Sequence, residues 1–223
     1  MIEIASDRRV YLFRHAQSAT NAGERTKDPF NIHLTKLGRE QAKLLLNLNL
    51  PRPDLIVYSS YIRTKETAQP ILKKFSKVPK EIWPVQEFTY LSVKKYENTT
   101  MEDRKEGRDI YWDKLDPHII DGEGAESFWN FMRERVEIFL ETIKNHSVST
   151  IYVFTHGQFI KGVFLRLLSP DLEITGEAMK RFRKLNKGIF VPNASVTEFL
   201  IKKKKIFISE PSADHLPGRL RTE

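Results

Sequence analysis

There is no cysteine in the chain. That single absence removes disulfide frameworks, thiolate metal centres and a catalytic thiol from consideration. The opening stretch, MIEIASDRRVYLFRH, lacks an apolar segment of signal-peptide length, and no uninterrupted apolar run anywhere approaches a membrane span. Internal repeats, low-complexity tracts and Gly/Ser linkers are missing too, which argues against arrays and tethered modules. The six histidines show no His-x-x-x-His pair and no carboxylate-rich ligand spacing, so neither a metal nor another cofactor is expected. These absences point to a cytoplasmic protein without a membrane partner.

What is present is an ordinary globular balance, 40% apolar and 30% charged over 223 residues. A chain of this length hides roughly 70% of its unfolded surface, ample for one large core, and a single domain over 1–223 is expected. Lys and Arg outnumber Asp and Glu by 37 to 29, for a net charge of +8. Such a balance favours anionic ligands in general. A nucleic-acid surface would need a continuous basic stripe interleaved with stacking aromatics, and the lysines here are dispersed. The densest run, Lys202 to Lys205, falls between two apolar stretches and reads as a solvated hairpin end.

Strands are expected at 9–14 (RVYLFR), 55–59, 150–155 (TIYVFT), 196–201 and 206–209, from their β-branched and aromatic content. Helical periodicity marks 35–47, 61–75, 126–145, 158–168 and 180–186. Between about 79 and 124 the pattern loosens, which suggests an insertion with some helix laid over the core as a lid. Strands alternating with helices imply an α/β, three-layer αβα sandwich, with a mostly parallel sheet and an antiparallel edge from the last hairpin.

The chemistry gathers at the strand ends. RVYLFR runs into His15, TIYVFT runs into His156-Gly157, and the strand at 55–59 leads into Ser59-Ser60-Tyr61-Ile62-Arg63. Ligands in open α/β sheets bind outside the carboxyl ends of the strands, so two imidazoles and the guanidiniums of Arg14 and Arg63 should share one face. A single histidine after a strand is more often structural than catalytic; the matching partners give these two weight. Transfer of a phosphoryl group spreads charge over three oxygens and is catalysed mainly by positioning and electrostatics. Planar guanidiniums and a nucleophilic imidazole suit that task.

The segment RHAQSATN at 14–21 resembles the signature of the histidine phosphatase, or phosphoglycerate mutase-like, superfamily. LTKLGREQA (34–42), SSYIRTKETA (59–68), FTHGQFIKG (154–162) and PNASVTEF (192–199) are similar to its later blocks and occur in the same order. The resemblance implies that His15 becomes a phosphohistidine. It also implies that Arg14, Arg63 and His156 bind phosphate, that Asn21 adds a donor, and that Gly157 admits backbone. Ala16 stands where the family usually has Gly, a substitution that is costly only if that position needs positive φ. Glu87, in WPVQEFTYLS, matches the place of the family's proton donor, with Glu123 and Glu126 as alternatives; Glu126 is expected in the first turn of the long helix.

The implied activity is metal-independent hydrolysis of a small phosphorylated substrate or a phosphoprotein. Mutase-type transfer and phospho-ligand binding without turnover are the alternatives. Mutases follow their acid with Arg and an aromatic-Gly pair, whereas Glu87 is followed by Phe88-Thr89-Tyr90, which favours hydrolysis. Arg104, Arg108, Tyr90, Tyr96, Tyr111, Trp112 and Trp129 are the middle-segment residues that either set the substrate or simply pack the lid.

Overall fold

A computed structural model describes residues 7–222; the first six residues of the opening stretch, and residue 223, lie outside it. β1 (Arg8–Arg14) lies inside a six-stranded sheet. Its side chains alternate between two covered faces, Val10 and Leu12 to one and Tyr11 and Phe13 to the other, none more than 2% exposed. Burial on both faces explains why this strand reads as continuous apolar sequence. β2 (Leu55–Tyr58), β3 (Lys80–Ile82) and β4 (Thr150–Thr155) run parallel to it, β5 (Val196–Lys202) pairs antiparallel with β1, and β6 (Lys205–Ile208) pairs antiparallel with β5, in the order β3-β2-β4-β1-β5-β6.

α1 (Lys36–Leu44) and α2 (Ile62–Lys74) cover the Tyr11/Phe13 face. On the other face lie α3 (Lys105–Asp113), α4 (Phe128–Asn130), α5 (Ile138–Asn145), α6 (Gly157–Leu168) and α7 (Gly176–Gly188). The result is the three-layer αβα arrangement with an antiparallel edge. Phe128, Phe131, Phe159 and Phe182 meet in the core on this second face, each fully buried. Fully burying a side chain of this kind contributes roughly 1.5–3 kcal/mol. Among the described residues no helix is long and apolar enough to cross a membrane.

Several boundaries differ from expectation for physical reasons. β3 lies inside the loosely patterned segment but pairs with β2 through Ile56–Lys80, so the part outside the sheet begins after Ile82. Its three residues are all exposed and carry no apolar signature. The long helix starts at Phe128, capped by Ser127 accepting from Asn130 N, which leaves Glu126 ahead of the helix rather than in its first turn. Between α4 and α5 the rod is a π-helix over Phe131–Glu137. Such widened turns often mark functional places. The Lys run forms a two-residue hairpin, with φ of 46° and 65° at Lys203 and Lys204, the left-handed pair that matches strand twist.

Candidate active site

The sheet register builds the site. Arg14 pairs with Thr155 across β1 and β4, and Tyr58 pairs with Phe154 across β2 and β4. The next residues along each strand, His15, His156 and Ser59, therefore leave the sheet side by side. His15 N binds Thr155 O at 2.9 Å and Ser59 N binds Phe154 O at 3.2 Å, so the ladder continues one step past the strands. The His15 and His156 ring centroids are 5.1 Å apart.

His15 is nearly sealed from solvent. Its Nδ1 lies 2.8 Å from Ala16 O. A carbonyl can only accept, so Nδ1 carries the proton and a neutral ring keeps its lone pair on Nε2. Burial, then the charges of Arg63 and Arg14, hold the His15 imidazole well below its usual pKa, which keeps it neutral. Ala16 does not have positive φ, so its methyl strains nothing there. Its N–H donates to Thr67 Oγ1 at 3.0 Å, fastening the loop to α2. Gly38 seats the start of α1 against the same loop, since a Cβ there would fall 2.0 Å from Gln17 O.

His156 is fully buried, with Nε2 2.8 Å from Ser59 Oγ and Nδ1 making no hydrogen bond to any described residue. Burial, then the neighbouring charges of Arg63, Arg135 and Arg14, depress its pKa as well. Arg14 donates from Nη1 to Val191 O. Its guanidinium lies against the Gly157 backbone, where a Cβ would meet Nε at 3.4 Å. Arg63, on the first turn of α2, donates to Pro29 O at 2.7 Å and lies over the Tyr61 ring at 4.8 Å. Burial lowers its pKa to about 10, which leaves it charged at neutral pH.

Glu87 accepts from Gln158 N, at the start of α6, at 2.9 Å. Ligating atoms of Glu87, His15 and His156 all lie within 4.8 Å of one another. Spacing in the sequence showed no metal site because these three residues come from separate segments. Their geometry has room for a divalent cation, but the adjacent Arg14 and Arg63 make the spot electropositive and favour an anion. Asn21 lines the same cavity, with Oδ1 accepting from Ser18 N at 3.2 Å and Ser18 Oγ at 2.9 Å. The cavity measures about 530 Å³.

The other candidates separate cleanly. Glu123 is exposed and pairs with Lys94 at 3.4 Å. Glu126 is mostly buried, pairs with Arg135 at 2.7 Å and accepts from Thr89 N at 3.1 Å. Arg135, from the π-helix, also donates to Gln86 O. This pair thus straps the 86–89 loop from both sides of Glu87, a role that no sequence signal announced. Trp112 and Tyr111 are core residues, and Trp129 stacks on His118. Tyr90, Tyr96, Arg104 and Arg108 line the cavity, as do Lys27 and Lys161, which sequence reasoning passed over.

The family described as histidine phosphatase superfamily (branch 1) matches residues 10–211. No curated protein matches the chain in sequence. Among solved structures, phosphoserine phosphatase from Entamoeba histolytica is 21% identical with a TM-score of 0.72, covering 94% of this chain and 100% of its own. Alpha-ribazole phosphatase from Shigella flexneri is 21% identical with a TM-score of 0.70, covering 92% and 96%. A mycobacterial glucosyl-3-phosphoglycerate phosphatase is 20% identical with a TM-score of 0.63, covering 92% and 97%. At these identities the likeness is one of fold.

Proposed function

The chain belongs to the histidine phosphatase superfamily, and from that membership we propose that it is a cytoplasmic, metal-independent phosphomonoesterase working through a phosphohistidine on His15. The observation that carries this reading is a buried neutral imidazole, its Nδ1–H held by Ala16 O, set beside two buried guanidiniums. Arg14 and Arg63 bind the phosphoryl oxygens. His156 joins them: a bound dianion favours its protonated form, and Nδ1, which has no hydrogen-bond partner among the described residues, then donates to a phosphoryl oxygen. Asn21 and the backbone at Gly157 complete the pocket.

His15 Nε2 attacks phosphorus in line, forming the N–P bond as the ester P–O bond breaks. Glu87, held at the start of α6, gives its proton to the leaving oxygen. The resulting Glu87 carboxylate takes a proton from water, whose oxygen then attacks phosphorus. The N–P bond breaks, His15 regains its lone pair, and inorganic phosphate departs. Phe88 supports hydrolysis over mutase-type transfer: it stacks on Phe131 at 4.5 Å and brings no cation beside the acid.

The test is p-nitrophenyl phosphate hydrolysis with EDTA present, wild type against His15→Ala. Turnover that persists in EDTA and vanishes in the variant is the expected result. Turnover lost on chelation, or retained by the variant, would exclude the mechanism.

A further inference from the structure

Among the described residues, six Lys or Arg side chains line the cavity against two carboxylates, Asp28 and Glu87. Asp28 is committed to its own turn, accepting from Phe30 N at 2.7 Å and Asn31 N at 3.0 Å. One phosphomonoester dianion offsets the charge of Arg14 and Arg63 and no more. The cavity is therefore built for more negative charge than a simple phosphate ester brings.

The excess has a structural address on α3. Arg104 caps this helix and Arg108 follows one turn later, a spacing that sets two side chains on one face. Arg104 donates to Thr99 Oγ1 at 2.8 Å, Thr99 O at 2.9 Å and Thr26 Oγ1 at 3.0 Å. These neutral oxygens orient the guanidinium without cancelling its charge. Among the described residues, the Arg108 guanidinium makes no hydrogen bond or ion pair. Three neighbouring carboxylates are occupied elsewhere: Asp103 pairs with Arg25 at 3.1 Å, and Arg183 of α7 takes Asp109 at 2.9 Å and Asp113 at 2.6 Å, while Glu106 is exposed. α3 thus turns Asp109 and Asp113 toward α7, and Arg104 and Arg108 line the cavity. Gly107 pins it there, since a Cβ would fall 1.8 Å from Tyr96 Oη.

We propose that Arg104 and Arg108 form a second anion-binding subsite, and that the substrate is a small phosphomonoester carrying a further carboxylate or phosphate group. Two adjacent guanidiniums match the paired oxygens of either group. The proposal rests on the reading of Arg14 and Arg63 as the site of the transferred phosphoryl group.

Calorimetric titration of the full-length protein with propylphosphonate, phosphonopropionate and propane bisphosphonate tests it without requiring turnover. The two doubly acidic ligands should bind about tenfold more tightly than propylphosphonate, the scale of one charge-assisted contact. The better of them tells carboxylate from phosphate. Arg108→Gln should bring that advantage down to about twofold or less, with an unchanged melting profile because the Arg108 guanidinium holds no hydrogen bond or ion pair among the described residues. Equal binding of all three ligands by the wild type would overturn the proposal. So would an advantage that survives Arg108→Gln. Turnover of p-nitrophenyl phosphate reads the phosphatase function separately: selectivity among phosphonates without turnover keeps the subsite and removes the activity, and turnover without selectivity does the reverse.

Discussion

Lowering the pH should cost this protein stability through the same two imidazoles that build its site. His15 and His156 are held neutral in the folded state, chiefly by burial and then by the guanidiniums around them. In the unfolded chain each takes up a proton as pH falls through about 6.5. The unfolded state then binds more protons than the folded one, so stability declines as pH falls below that value. Integrated from about pH 6.5 to about pH 5.5, the loss is about 1 kcal/mol for each imidazole that stays neutral when folded, or about 2 kcal/mol for the pair. His215, also lowered by burial, adds in the same direction, whereas Glu126, raised by burial, opposes it. A paired comparison isolates the site. Urea unfolding of the wild type and His15→Ala across this range should show the variant losing about 1 kcal/mol less. Identical pH slopes in the two proteins would refute the assignment of a buried, neutral His15.

Three further outcomes follow from the geometry. Glu87→Gln should slow hydrolysis of alkyl phosphates by about 100-fold or more while affecting aryl phosphates far less, because only poor leaving groups need the proton; equal losses on both would place the acid elsewhere. Arg135→Met should leave Glu126 buried without its cation and release Gln86 O, destabilising the fold by about 3 kcal/mol in urea unfolding. The same variant should show a milder form of the Glu87→Gln leaving-group pattern; a uniform loss on all esters would show that the strap does not act through Glu87. Gly162→Ala should cost about 1–3 kcal/mol in thermal unfolding, since the new Cβ would sit 2.8 Å from Phe131 Cζ and 3.0 Å from Val136 Cγ2; a melting temperature equal to wild type would contradict the packing described.

The sequence announced the interior strands because burial on both faces demanded unbroken apolar runs at RVYLFR and TIYVFT. Those runs end in His15 and His156, so the convergence of the site is legible in the strand ends alone. β3 was silent because a three-residue exposed edge strand is specified by its partner rather than by its own side chains. The π-helix was equally hidden: its residues keep an amphipathic pattern, and the widened turn shows only in the hydrogen bonding. The strap from Arg135 and Glu126 to the Glu87 loop joins residues from different elements, as does the His15–Glu87–His156 cluster. Such contacts are tertiary and leave no spacing to detect. The middle segment yielded Arg104 and Arg108 as candidates, but their common face and the diversion of their acidic neighbours to Arg183 needed the packing of α3 on α7.

The central claim is a covalent phosphoryl group on His15, and rapid quenching during turnover of an aryl phosphate measures it most directly. The quenched protein should carry an acid-labile, alkali-stable phosphoryl group that maps to the peptide containing His15, forms at least as fast as turnover, and is absent from His15→Ala. A label on another residue, or turnover that proceeds with no phosphoryl group on His15, would contradict the account.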